Sequence, residues 1–181
     1  MCLSLVLSLG VAACSEDEKD TVPANYLQVG SKYYALKKGF VVKYSESNLG
    51  KDLYDLELDL MGSGLNYDND EGVFKGKGPV FYLTADTTSG TEIVSGEYDF
   101  TDDYDNYPEV NKAYGASYWT SFEPENMGYD GRVLLEGSVS IEVDENGVYE
   151  VSYEGKDELD NSIKVYYKGV INFIDASGEE D

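Results

Sequence analysis

Histidine is missing from this chain, and its two cysteines, Cys2 and Cys14, both lie at the extreme N-terminus. Without His there is no Ser-His-Asp triad, no Cys-His pair and no histidine pH switch. With both thiols near the start, the body of the chain has no disulfide, no thiolate nucleophile and no Cys/His zinc site. Basic residues are scarce: 13 Lys and Arg stand against 36 Asp and Glu, a net charge of −23. Nucleic-acid phosphate and anionic membrane surfaces repel such a polyanion, so no nucleic-acid partner is expected, while neutral glycans, cations and basic proteins remain. No stretch holds a 3.6-residue apolar period long enough to predict a helix. For an enzyme this leaves carboxylates, Tyr, Lys and metal-bound water, and we expect no catalytic activity.

The first thirteen residues read differently from the rest. Leu3 to Ala13 is an uncharged apolar run, shorter than the roughly 20 residues of a membrane-spanning helix, and it ends in small residues. Val11-Ala12-Ala13-Cys14 resembles the lipobox of bacterial lipoproteins. The resemblance implies thioether lipidation of Cys14, followed by cleavage before it. Each acyl CH₂ buried in lipid contributes about 0.8 kcal/mol, and a multiply acylated Cys14 meets the need for more than one chain. No Lys or Arg precedes the run, so we expect the natural start to lie upstream. Behind Cys14, Ser15-Glu16-Asp17-Glu18-Lys19-Asp20 is a solvated tether that resembles the surface-export signal of Bacteroidetes lipoproteins. That likeness implies a lipid-anchored protein on the outer face of the outer membrane. The expected organisation is a signal peptide over 1–13, a lipidated acidic tether over 14–24, and a single antiparallel β domain over 25–181.

From Asn25 onward, Val, Ile, Leu and Tyr alternate with polar residues, and Gly, Asn and Asp cluster between the runs. Strands are predicted near Tyr26 to Val29, Lys32 to Tyr44, Leu53 to Leu60, Val80 to Ala85 and Glu92 to Phe100. Others are predicted near Ala116 to Phe122, Arg132 to Asp144, Val148 to Gly155 and Ile163 to Ile174. The last three can be registered, because a one-residue slip would turn a whole side-chain set to the wrong face. Leu135, Gly137, Val139, Ile141 and Val143 share one face. Pairing Val143 with Tyr149, Ile141 with Val151 and Val139 with Tyr153 unites two apolar faces. Glu145-Asn146-Gly147 is then a three-residue loop with Gly147 left-handed. Ile163, Val165 and Tyr167 continue the inner face, and Lys164, Tyr166 and Lys168 lie on the other. An antiparallel meander of this kind predicts an all-β domain, either an up-and-down barrel of the calycin or lipocalin type or a two-sheet β-sandwich. Signal and last third together resemble small Bacteroidetes surface lipoproteins of unknown function, a likeness of pattern that implies no catalytic residues.

Asp55-Leu56-Glu57-Leu58-Asp59-Leu60-Met61-Gly62 resembles the Glu-x-Asp-x-x-Glu strand of laminarinase-like glycoside hydrolases. Glu57 and Asp59 match its first two acids, but Gly62 replaces the third, and retaining hydrolysis needs two carboxyl groups about 5 Å apart. Alternation favours the plainer reading, with Leu56, Leu58 and Leu60 in the core and Asp55, Glu57 and Asp59 facing water.

Two acidic stretches fit calcium. Asn66 to Gly72 alternates oxygen ligands, though its Gly is one place late for an EF-hand loop. Asp99, Asp102, Asp103 and Asp105 crowd four carboxylates whose repulsion a hard cation would relieve.

Aromatic residues are in excess, with 17 Tyr beside a single Trp. In the pairs Tyr33-Tyr34, Tyr118-Trp119 and Tyr166-Tyr167, neighbours on a strand must point to opposite faces, so one ring of each leaves the core. Rings beside polar groups suit sugars, and Trp119, Tyr118, Tyr104, Tyr107 and Tyr129 are the candidate glycan contacts. Tyr is also a favoured strand residue, so most of these rings should be structural. The favoured expectation is a non-catalytic, glycan-binding surface lipoprotein. The alternative is a calycin-like binder of an apolar small molecule, or an inhibitor of a host enzyme.

Overall fold

Alternating apolar residues become strands in the computed structural model, which describes residues 22–44, 52–100, 110–124 and 131–178. The first are β1 (Tyr26–Val29), β2 (Lys32–Ala35), β3 (Lys38–Lys43), β4 (Tyr54–Met61), β5 (Leu65–Asp68), β6 (Val73–Gly76) and β7 (Gly78–Thr87). There follow β8 (Gly96–Phe100), β9 (Lys112–Phe122), β10 (Arg132–Val133), β11 (Ser138–Val143), β12 (Val148–Lys156) and β13 (Ser162–Asp175).

Eight of these close a barrel in the order β12-β11-β8-β9-β7-β4-β3-β13, with β13 returning to β12. The domain is therefore an all-β barrel rather than a two-sheet sandwich. Two junctions depart from a pure meander, since β8 lies parallel to β9 and β13 parallel to β3. Closure depends on β13, whose 14 residues extend roughly 46 Å at about 3.3 Å per residue. Its first half pairs β12 on one side and β1 on the other; its last residues, Ile171 to Asp175, pair β3 instead. Strand β2 continues outward from β1, β10 adds to β9, and β5 and β6 form a separate hairpin.

Inside the barrel, Leu56, Leu58, Leu60, Phe81, Leu83, Val139, Ile141, Val151 and Val165 are buried together. Eight strands leave an interior just wide enough for side chains to fill, and here tyrosines take much of it. Their hydroxyls reach acceptors: Tyr98 donates to the Val94 carbonyl at 2.9 Å, Tyr153 to that of Glu136 at 2.9 Å and Tyr167 to that of Val170 at 3.1 Å. A large ring thus contributes apolar area while its polar tip stays paired.

The hairpin register read from the sequence is present: Val143 faces Tyr149, Ile141 faces Val151 and Val139 faces Tyr153. Gly147 has φ +74° and closes the turn by donating to Asp144. Elsewhere long runs break. Lys32 to Tyr44 divides into β2 and β3, because Leu36 turns fully inward and the two halves pair different strands. Arg132 to Asp144 divides into β10 and β11, so Leu134 is buried and Leu135, expected on the inner face, is 61% exposed. Gly137, at φ +113°, marks the break.

The hairpin β5–β6 was not anticipated as strand. It covers the barrel's outer wall, where Leu65, Tyr67 and Phe74 meet Phe40, Val42, Met61, Val80 and Trp119 in a second apolar cluster.

Candidate functional site

Strands β11 and β12 present small polar residues on the outer wall between larger ones on their neighbours. Register places Glu97 of β8, Ser140 of β11, Ser152 of β12, Tyr166 of β13 and Tyr26 of β1 in one cross-strand row. A neighbouring row runs from Glu154 through Lys164 and Gln28 to Tyr33. Because serines form the middle and long side chains the margins, the wall is hollowed into a groove of about 410 Å³.

One margin is aromatic. Tyr26 and Tyr166 have ring centroids 6.2 Å apart at 34°, and Tyr33 meets Tyr26 edge-on at 5.3 Å. Tyr166 is oriented by its hydroxyl, which donates to Glu150 Oε1 at 2.9 Å, while Lys168 Nζ holds Oε2 at 2.7 Å. The Lys168 ammonium and the Tyr166 hydroxyl keep the Glu150 carboxyl below its usual range. The other margin is charged: Ser138 Oγ donates to Glu97 Oε2 at 3.2 Å, and Lys164 pairs with Glu154 at 2.6 Å. Carboxylate acceptors, an ammonium donor and hydroxyls of both kinds thus converge beside exposed ring surface.

Of the residues read from the sequence, Tyr118 points into the barrel at 3% exposure, and its hydroxyl donates to Asp157 Oδ2 at 2.8 Å. It presents no surface to a ligand. Its neighbour Trp119 does point outward, as adjacency requires, but packs on Phe122 at 5.2 Å beneath the second cluster, with Gly131 against the indole. Neither borders the serine groove. Tyr104, Tyr107 and Tyr129 lie outside the described residues, as do Cys14, Asp102, Asp103 and Asp105. Asp99 is on β8, where Lys112 Nζ meets it at 3.4 Å. Among the described residues no group of three acids is arranged to hold a metal ion. In the other acidic stretch, Asp68 closes the β5–β6 turn, accepting the Asp70 amide at 3.0 Å and that of Glu71 at 3.2 Å.

Asp55, Glu57 and Asp59 do leave the core on the outer face of β4, but they do not all face water. Asp59 is 5% exposed between Phe40 of β3 and Tyr82 of β7, its cross-strand neighbours. Burial, reinforced by the Glu57 charge, drives its carboxyl well above the usual range. Burial also raises Glu57 to about 7, against the opposing bond from the Tyr82 hydroxyl at 3.0 Å. Tyr82 touches Thr84 Oγ1 as well, at 2.6 Å. With Asp59 covered, the Glu57 and Asp59 pair does not present both carboxyl groups at the surface.

The serine groove was missed because its aromatic margin is assembled from opposite ends of the chain, with Tyr26 beside Tyr166. The available signal was Ser138-x-Ser140 and Ser152 on outward positions of strands already in register, where small residues leave space. Compared with known protein families, curated proteins and solved structures, the chain matches none.

Proposed function

We propose that this chain is a surface lipoprotein, anchored in the outer membrane through Cys14, whose barrel binds a neutral glycan without cleaving it. The serine-floored groove beside Tyr26 and Tyr166 carries the reading. A pyranose has an apolar face of C–H groups and a rim of hydroxyls. Ring surface takes the first, and Glu97, Glu154, Lys164 and the serines take the second. Charge supports a neutral ligand over an acidic one, because the chain carries −23 and Lys164 is already paired with Glu154. The sequence suggested sugar contacts at Trp119, Tyr118, Tyr104, Tyr107 and Tyr129; the proposal rests instead on Tyr166 and Tyr26, whose rings border a hollow. An apolar ligand inside the barrel, the calycin-like alternative, would have to displace the buried tyrosines.

A glycan array followed by calorimetry on the hit tests it. Ser152→Trp fills the floor from an exposed position, so binding should fall at least tenfold while the melting temperature holds. Tyr166→Ala should weaken binding similarly, and Trp119→Ala should not. An array without hits, or full affinity in Ser152→Trp, would remove the proposal.

A further inference from the structure

Beneath the β5–β6 hairpin lies a second cleft of about 530 Å³, built from other residues than the serine groove. Tyr67, Val73 and Phe74 form its hairpin wall, and Val42, Phe122 and Ala176 its barrel wall. The hairpin is held in place at its neck. Gly64 and Gly76 approach so closely that a Cβ on either would strike the backbone opposite, and Gly76 sits at φ +99°. Lys77 donates from its amide to the Gly64 carbonyl at 3.2 Å, and Lys38 Nζ reaches the Leu65 carbonyl at 2.8 Å. Phe74 is braced edge-on by Phe40 at 5.4 Å and Tyr67 at 5.2 Å. The cleft is therefore formed before any ligand arrives.

Three observations define the occupant. Of the hydrophobic residues lining it, Tyr44 at 55% and Val73 at 46% are exposed, while the rest are recessed. A globular partner needs roughly 800 Å² of accessible contact on each side, so most of this surface is reachable only by something that enters. The volume falls within the roughly 300–1,000 Å³ of small-molecule sites. The charged groups at the rim are engaged with one another: Lys75 Nζ lies 2.6 Å from Glu71 Oε1 and 2.9 Å from Asp68 Oδ2. An anionic head group meets a Lys75 ammonium already shared by two carboxylates, and a cationic one meets Glu71 and Asp68 already engaged by that ammonium. We infer that this cleft binds one uncharged, apolar small molecule, independently of the glycan site.

The test uses the full chain carrying Cys14→Ser, free of detergent, with Nile red as a neutral probe and anilinonaphthalene sulfonate as an anionic one. Nile red should bind one per chain, with a blue-shifted emission that added oligosaccharide does not reverse. Val73→Trp, which fills the cleft from a half-exposed position, should lower its affinity at least tenfold with an unchanged melting temperature. Glu71→Lys should strengthen binding of the anionic probe, since it replaces a rim carboxylate with an ammonium. The inference falls if no saturable site is found, if Val73→Trp binds Nile red as the parent does, or if Glu71→Lys leaves the anionic probe unaffected. It falls too if sedimentation shows a dimer that Val73→Trp abolishes, which would make this face a contact between copies. Since neither probe is a sugar, failure here leaves the glycan proposal standing, and the reverse holds.

Discussion

Glu57 holds its proton to about pH 7 in the folded chain because β4 and β7 remove it from water and Asp55 stands on the same face. The ordinary value for such a carboxyl is 4.5, so between the two values the folded state binds more protons than the unfolded state. Stability therefore falls as pH rises through that window, and above it the full cost applies, roughly 3 kcal/mol at about 1.4 kcal/mol per unit. Glu57→Gln keeps the bond to Tyr82 and cannot ionise. It should raise the melting temperature at about pH 8 and leave it nearly unchanged at about pH 4.5; equal melting curves at both would show that Glu57 is solvated. Asp157 behaves in the opposite sense. Burial pushes it up, but bonds from Asn161, Tyr118 and the Leu159 amide outweigh that and hold it below its ordinary value. Its contribution is present above the unfolded value and lost as pH falls through the folded one. The alternation of Asp55, Glu57 and Asp59 was legible in the sequence, whereas their depth was not. Whether an outward residue meets water depends on the cross-strand neighbours, Phe40 and Tyr82, that only the sheet supplies.

At the scale of the element, β12 and β13 repeat one device. Tyr153-Glu154-Gly155 and Tyr167-Lys168-Gly169 each place a glycine two residues after an inward tyrosine, where the missing side chain leaves room for the ring to lie over the strand. A Cβ on Gly155 would stand 2.7 Å from the Glu136 carbonyl oxygen and collide with the Tyr153 hydroxyl. Gly155→Ala should therefore destabilise the domain by roughly 1–3 kcal/mol, measured by urea denaturation, because the backbone on one side cannot yield. A change within about 0.5 kcal/mol would mean that the ring swings aside freely. The register of the β11–β12 hairpin was readable because two apolar faces and a three-residue loop admit one solution. The β5–β6 hairpin was not, because its acidic turn resembles a cation loop and its partners lie on the barrel's outer wall. Asp68 accepts its own turn amides and pairs with Lys75.

At the scale of the whole molecule, the chain carries a net charge of −23, which under the proposed anchoring at Cys14 would stand it off an anionic surface while the lipid held it there. Cys14→Ser should release the protein from the membrane fraction into the soluble one, and a membrane-impermeant label should reach the parent protein on intact cells. Labelling only after lysis would argue against surface exposure, and membrane retention of Cys14→Ser against the lipid anchor. The sequence by itself determined the anchor expectation, the excluded chemistries, the all-β class and the register of the C-terminal meander, since each rests on residue type or local alternation. Only the tertiary structure decided that the sheet closes. That required β13 to leave β1 for β3 along one edge, a pairing between residues more than a hundred positions apart. Only the pairing of β1 with β13 set Tyr26 beside Tyr166, and only the closed sheet sent Tyr118 inward behind Asp157, because a groove is a relation between distant strands and no single strand encodes it.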